Sequence, residues 1–155
     1  MFYGCFSLNE LNINILDTSS VTNMAHMFDG CNSLIKLDLN NFRTNLIEDM
    51  SYLFNSYKSL NELIISNFDT SNVLNFSHMF SQVQSLNKLN LSSFRTNKAI
   101  DMSYMFYYFS DIEYLDLSNF VTNKVQNMSS MFEGCLMLKK IKLENFETTE
   151  LKDKS

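Results

Sequence analysis

Apolar side chains recur along this chain at a fixed spacing of 26 residues. Phe2, Phe28, Phe54, Phe80, Phe106 and Phe132 keep that spacing with no insertion. Other columns run beside them: Leu8, Leu34, Leu60, Leu86, Ile112 and Leu138; Leu11, Leu37, Leu63, Leu89, Leu115 and Ile141. A later one is Leu16, Phe42, Phe68, Phe94, Phe120 and Phe146. The column Met24, Met50, Phe76, Met102 and Met128 is broken by Lys154. Thr18, Thr44, Thr70, Thr96, Thr122 and Thr148 are identical throughout. An internal period of this length is the signature of a stacked repeat architecture. A single repeat buries too little apolar surface to offset the ordering of its backbone, so repeats must share one core. The periodicity therefore predicts a solenoid, a single repeat domain over 1–155, with coils at 1–26, 27–52, 53–78, 79–104, 105–130 and 131–155.

Within one coil the hydropathy pattern changes. In Ser33–Asn40, Leu37 and Leu39 alternate with Lys36, Asp38 and Asn40, which is the period of a half-buried strand. A polar bend follows, as in Asn67–Asn72, with Phe68 buried inside it. The stretch Asn75–Phe80 reads as a helical turn, with Asx residues in the column Asn23, Asp49, Asn75, Asp101, Asn127 and Asp153 capping its start. Strands stacked at ~4.8 Å would make a sheet roughly 29 Å long.

A second, 52-residue period overlies the first. Leu-Asn-Glu-Leu occurs at 8–11 and 60–63, and Phe-Arg-Thr-Asn at 42–45 and 94–97. It makes charge alternate down the columns, as in Glu10, Lys36, Glu62, Lys88, Tyr114 and Lys140, or Asp17, Arg43, Asp69, Arg95, Val121 and Glu147. Stacking turns such columns into neighbours, and alternation replaces repulsion with weak attraction.

Composition narrows the function. A net charge of −5 argues against nucleic-acid binding, which needs a surplus of Lys and Arg. Three glycines and no proline exclude a glycine-rich phosphate loop. No apolar run approaches the ~20 residues of a membrane span. The start, Met1–Glu10, lacks the basic and apolar segments of a signal peptide.

Met27-Phe28-Asp29-Gly30-Cys31-Asn32-Ser33-Leu34 and Leu115-Asp116-Leu117-Ser118-Asn119-Phe120-Val121-Thr122 carry a resemblance. The pattern resembles the BspA-like leucine-rich repeats of bacterial and protist surface proteins, in the form common in mycoplasma lipoproteins. The resemblance extends over the whole chain. It implies a leucine-rich-repeat fold, display at the cell surface or secretion, adhesion or protein binding, and no catalytic residue. The middle coils depart from its Gly-Cys pair at Ser56-Tyr57, Gln82-Val83 and Tyr108-Phe109.

The reading that results is an α/β, right-handed, leucine-rich-repeat-like solenoid of six coils, each with a parallel strand, a polar bend and a short helical turn. The expected function is non-catalytic protein binding at the cell surface. The alternative is an intracellular, cytoplasmic interaction or structural repeat protein, or a fragment of a longer one. The best candidate contact is the outward strand stripe: Glu10, Asn12, Lys36, Asp38, Glu62, Ile64, Lys88, Asn90, Tyr114, Asp116, Lys140 and Lys142. Open repeat surfaces of this kind bind partners, and the other reading is a merely solvated face.

The remaining chemistry is sparse. Cys5, Cys31 and Cys135 share one column with Tyr57, Val83 and Phe109, which favours core thiols over a Cys5–Cys31 disulfide. His26 and His78 lie two coils apart with Tyr52 between them, which predicts a surface aromatic ladder rather than a metal site. No catalytic residue, cofactor or metal is expected, because no nucleophile is paired with a base. The threonine column is read as fixing the bends, over a flat lattice-binding array, since no second threonine accompanies it. Asn75-Phe76-Ser77, Asn90-Leu91-Ser92 and Asn127-Met128-Ser129 fit the glycosylation triplet, which matters only in a secreted eukaryotic setting. Glu147–Ser155 is polar enough to cap one end, while the first coil is expected to expose apolar surface prone to self-association.

Overall fold

The computed structural model describes residues 1–152. Neighbouring repeats lie parallel, each residue beside the one 26 further along. Four short strands carry part of this register: β1 Lys36–Asp38, β2 Glu62–Ile64, β3 Tyr114–Asp116 and β4 Lys140–Lys142. β1 pairs with β2, Lys36 opposite Glu62, and β3 with β4, Tyr114 opposite Lys140, as two separate two-stranded sheets. Elsewhere the register is held by single parallel bridges, a line of them running Asn23, Asp49, Asn75, Asp101 and Asn127.

This corrects the expected fold class. The described residues contain no helix, and they do not build an α/β leucine-rich-repeat-like solenoid with one strand and one helical turn per coil. The backbone at the expected helical turn shows why. His78 has φ of 56°, and His26, Tyr52, Tyr104 and Ser130, in the same column, have φ between 51° and 57°. A right-handed helix needs φ near −63°. The N–H groups of Phe76, His78 and Phe80 also leave the segment. They donate to the carbonyls of Asp101, Ser103 and Met105 in the next repeat at 2.9, 2.9 and 2.8 Å. A helix would direct such bonds along its own axis, to the fourth residue back. What remains local is a pair of tight turns, Met79 to Phe76 and Ser81 to His78, both at 3.1 Å. The Asx side chains keep a capping bond but close turns with it, as Asn75 Oδ1 accepts from Ser77 N–H at 2.9 Å. Asp153, Lys154 and Ser155, at the end of the expected last coil and cap, lie outside the described residues.

A second left-handed position follows four residues later in every repeat. Gly4, Gly30 and Gly134 have φ of 71–76°, and Ser56, Gln82 and Tyr108 adopt 61°, 56° and 50° at the same place. The departures from Gly-Cys thus leave the backbone path unchanged and place side chains where they cost ~1–2 kcal/mol each.

The sheet is interrupted in repeat four, where Lys88 and Asn90 lie outside any strand. The chain enters this segment through a kink at Ser85, φ 66°, where Leu86 N–H donates to the Gln84 carbonyl at 2.8 Å.

The core runs the length of the stack. Phe2, Phe28, Phe54, Phe80, Phe106 and Phe132 form a ladder with centroid spacings of 5.6, 6.3, 5.5, 5.6 and 5.7 Å. Phe68, Phe94 and Phe120 form a second at 6.5 and 6.2 Å. Such offset aromatic contacts add to the burial of large rings.

The threonines act between repeats rather than within their own bends. Each buried hydroxyl both donates and accepts across to the next repeat. Thr70 Oγ1 donates to the Arg95 carbonyl at 2.9 Å and accepts from Arg95 N–H at 2.7 Å. Thr18, Thr44, Thr96 and Thr122 do the same with Arg43, Asp69, Val121 and Glu147. A hydroxyl, with one donor and two acceptor sites, completes the hydrogen bonding of a residue that has no strand partner there.

Thr70→Val removes the hydroxyl and strands both backbone groups of Arg95. It is expected to cost about 2–3 kcal/mol, against less than ~1 kcal/mol for Thr70→Ser, in denaturant titrations. Equal losses would show that the methyl, not the hydroxyl, matters. Gly134→Ala places a Cβ 2.6 Å from the Tyr108 ring at φ 74° and should lower the melting temperature well beyond an alanine change at an exposed site.

Candidate functional site

The strand stripe exists as a surface, but in pieces. Lys36, Asp38, Glu62 and Ile64 stand on β1 and β2, and Tyr114, Asp116, Lys140 and Lys142 on β3 and β4. Glu10 and Asn12 in repeat one, and Lys88 and Asn90 in repeat four, lie outside the strands. Most of the stripe is exposed, while Ile64, Asp116 and Lys142 are half-buried.

Much of its charge is spent internally. Lys36 Nζ lies 2.9 Å from Glu62 Oε2 across β1 and β2, the one step of the alternating column that closes as an ion pair among the described residues. In the other alternating column no Asp–Arg ion pair closes among the described residues; Arg95 instead donates to the carbonyls of Ser92 and Phe94. Across β3 and β4, Asp116 accepts from Lys142 at 3.0 Å, from the Tyr114 hydroxyl at 3.0 Å, and from Ser118. The hydrogen bonds from Ser118, then that from Lys142, hold the Asp116 carboxyl well below the usual carboxylate range. Lys140 Nζ sits 5.9 Å from the centroid of the Tyr114 ring. Open grooves border the stripe, among them one of about 530 Å³ beside Glu10, Lys36 and Asp38, one of about 250 Å³ between Asn90 and Asp116, and one of about 580 Å³ beside Lys88.

A second surface is continuous where the stripe is not. In four successive repeats the first left-handed position carries a ring, exposed at His26 and half-buried at Tyr52, His78 and Tyr104; the next repeat has Ser130 there. His26, Tyr52, His78 and Tyr104 stack face to face at 4.5, 4.3 and 4.6 Å. Tyr3 meets His26 edge-on at 5.7 Å, and Tyr107 meets Tyr104 and Tyr108 edge-on at 5.2 and 4.6 Å. The positive φ turns these side chains to one face, and the parallel register sets them a stacking distance apart. The stacked faces are satisfied by one another, so the surface presents ring edges, tyrosine hydroxyls and imidazole nitrogens.

Asp29 anchors one end of this row. Its buried carboxylate contacts His26 Nδ1 at 2.8 Å and accepts from Asn55 Nδ2 at 2.8 Å. His78 has no such partner, and burial lowers its pKa against the pull of Asp101 and Asp29.

The ladder of His26, Tyr52 and His78 was legible from column arithmetic, and Tyr104 shares their column. Asp29, Tyr3 and Tyr107 were not singled out, although all three fall in one column, three residues past the ladder position. Among the described residues no cluster of three or more His, Cys, Asp or Glu could hold a metal ion.

Cys5, Cys31 and Cys135 are free thiols. Cys31 is buried and donates to the Phe2 carbonyl at 3.3 Å; burial pushes its thiol up to about 11. Cys135 makes the matching bond to Phe106 at 3.1 Å.

Two overlapping stretches, residues 1–62 and 32–146, match the family described as "Mycoplasma protein of unknown function, DUF285". The chain belongs to this family of mycoplasma proteins. No curated protein and no solved structure matches it. No helix among the described residues is long and apolar enough to cross a membrane.

The lowered pKa of His78 sets a pH dependence. The folded chain takes up this proton less readily than the unfolded chain. The stability it contributes is complete above the ordinary imidazole value of ~6.5 and is lost as pH falls through the lower, folded value. Thermal melts from about pH 7.5 down to about pH 5 should therefore show a smaller loss for His78→Tyr, which copies Tyr52 and Tyr104, than for the native chain. A parallel loss in both would place the sensitivity elsewhere.

Proposed function

We propose that this chain is a non-catalytic protein-binding module of a cell-surface repeat protein, of the BspA-like kind its repeat resembles. The family match to mycoplasma proteins supports that kinship. The observation that carries the binding reading is the His/Tyr row. Tyrosine edges give large contact area with a polar tip, and they are enriched where proteins bind one another. Stacking at 4.3–4.6 Å holds these rings in place before any partner arrives, so less side-chain freedom is lost on binding. The strand stripe suits this role less well, because it is broken into pieces and two of its charge pairs, Lys36–Glu62 and Lys142–Asp116, already satisfy each other. An intracellular partner is the second reading, since the same row would serve either side of a membrane.

Antibody labelling of intact native cells, with a cytoplasmic protein as control, separates the two locations. Surface labelling is the expected result, and labelling only after permeabilisation would remove the adhesion reading. On a panel of immobilised host matrix proteins, joint Tyr52→Ala and Tyr104→Ala changes should weaken any captured partner at least tenfold. Far-ultraviolet circular-dichroism melts must show the variant still folded. Undiminished binding by a folded variant would exclude the ring row as the contact.

A further inference from the structure

Side chains replace glycine at the second left-handed position in three successive repeats, and two of these replacements share a cleft. Gln82 and Tyr108 hold φ of 56° and 50°, where Gly4, Gly30 and Gly134 hold 71–76°. That conformation is unfavourable for a residue with a side chain, and residues kept in it cluster where ligands bind. Gln82, Gln84, Tyr107, Tyr108 and Ser110 line an open cleft of about 290 Å³ across repeats four and five.

The walls of the cleft are fixed from behind. Gln82 N–H donates to the Tyr107 carbonyl at 2.6 Å, Tyr108 N–H to the Glu133 carbonyl at 2.7 Å, and Ser110 N–H to the Val83 carbonyl at 3.1 Å. The Tyr108 ring lies against Gly134, where an added Cβ would fall 2.6 Å from it. The Tyr107 and Tyr108 rings meet at 63°, with centroids 4.6 Å apart. They form a corner, whereas the rings of His26, Tyr52, His78 and Tyr104 cover one another's faces. A corner held in place beforehand loses little side-chain freedom when a ligand enters.

The chemistry of the lining selects the ligand. Aromatic faces carry partial negative charge, which attracts the weakly positive C–H face of a sugar ring. Gln82 and Gln84 are exposed, and each amide sets an acceptor oxygen beside N–H donors, a match for adjacent sugar hydroxyls. The tyrosine hydroxyls both donate and accept. No charged side chain lines the cleft among the described residues. Partial burial and then the Glu133 carboxylate raise the Tyr107 pKa, so a negative charge stands nearby and opposes an anionic ligand. The volume sits at the lower edge of the ~300–1,000 Å³ of small-molecule sites, which leaves room for one ring rather than an extended peptide.

We infer that this cleft binds a single uncharged sugar ring, Tyr107 and Tyr108 taking its C–H face and Gln82 and Gln84 its hydroxyls. The site adjoins the His/Tyr row at Tyr104 and stands or falls apart from the protein contact proposed for that row.

The test is a two-dimensional amide NMR titration of the 155-residue chain. The probes are the methyl glycosides of glucose, galactose and mannose, N-acetylglucosamine, the anionic sugar N-acetylneuraminic acid, and a polyproline peptide. At least one neutral sugar should bind with a Kd of about 1–10 mM, as suits one ring in an open cleft. The shifts should centre on the Gln82 and Gln84 side-chain amides and on Tyr107, Tyr108 and Ser110, and N-acetylneuraminic acid should bind more weakly. Tyr108→Gly should weaken binding at least about tenfold while the chain stays folded, because glycine takes this φ in three other repeats. Gln84→Ala should weaken it about threefold to tenfold. The inference is overturned if no neutral sugar moves these resonances up to about 20 mM. Equal or tighter binding of N-acetylneuraminic acid, shifts there from the polyproline peptide alone, or undiminished sugar binding by folded Tyr108→Gly would overturn it as well.

Discussion

Each repeat directs backbone N–H groups and one threonine hydroxyl into the next, and the whole structure hangs on that transfer. His78 reaches Ser103, Phe80 reaches Met105, and Thr70 closes both backbone groups of Arg95. Buried backbone must be paired, and these residues pair it between repeats instead of within helices or long strands. The threonine column supplies the bonds where the chain bends and no strand partner is available. That requirement explains why the residue is the same at 18, 44, 70, 96 and 122 while its neighbours vary.

From this transfer the rest follows. The register it imposes sets phenylalanines about 5.5 to 6.5 Å apart in the core, and histidine and tyrosine rings closer still on the surface. Left-handed residues recur at two columns, those of His78 and Gln82, and both donate their N–H groups to the next repeat. Substituting glycine by Ser56, Gln82 and Tyr108 at one of them costs local strain, and the inter-repeat bonds hold the path nonetheless.

The repeat, its period and its buried columns were legible in the residues, because identical environments demand similar side chains at identical spacing. The stacked row through His26, Tyr52 and His78 followed from the same arithmetic. The helical turn was misread. Asn75-Phe76-Ser77-His78-Met79-Phe80 has an Asx cap and apolar spacing that suit one helical turn, and nothing local reveals that His78 takes a positive φ. The threonine role was placed in the wrong partner, because a hydroxyl's choice between its own bend and a chain segment 25 residues away is settled only by packing. The continuous strand stripe failed for a related reason: Lys88 and Asn90 carry the right pattern, but the kink at Ser85 precedes them.

By itself, the sequence determined periodicity, because burial acts on side-chain type, and type is written position by position. It also determined which columns are apolar and which alternate in charge. Tertiary structure alone decided where the backbone hydrogen bonds go, since every residue carries the same N–H and C=O whatever its side chain. Once those bonds ran between repeats, helices were excluded, strands shrank to three residues, and the rings at the left-handed position were brought into one stacked row.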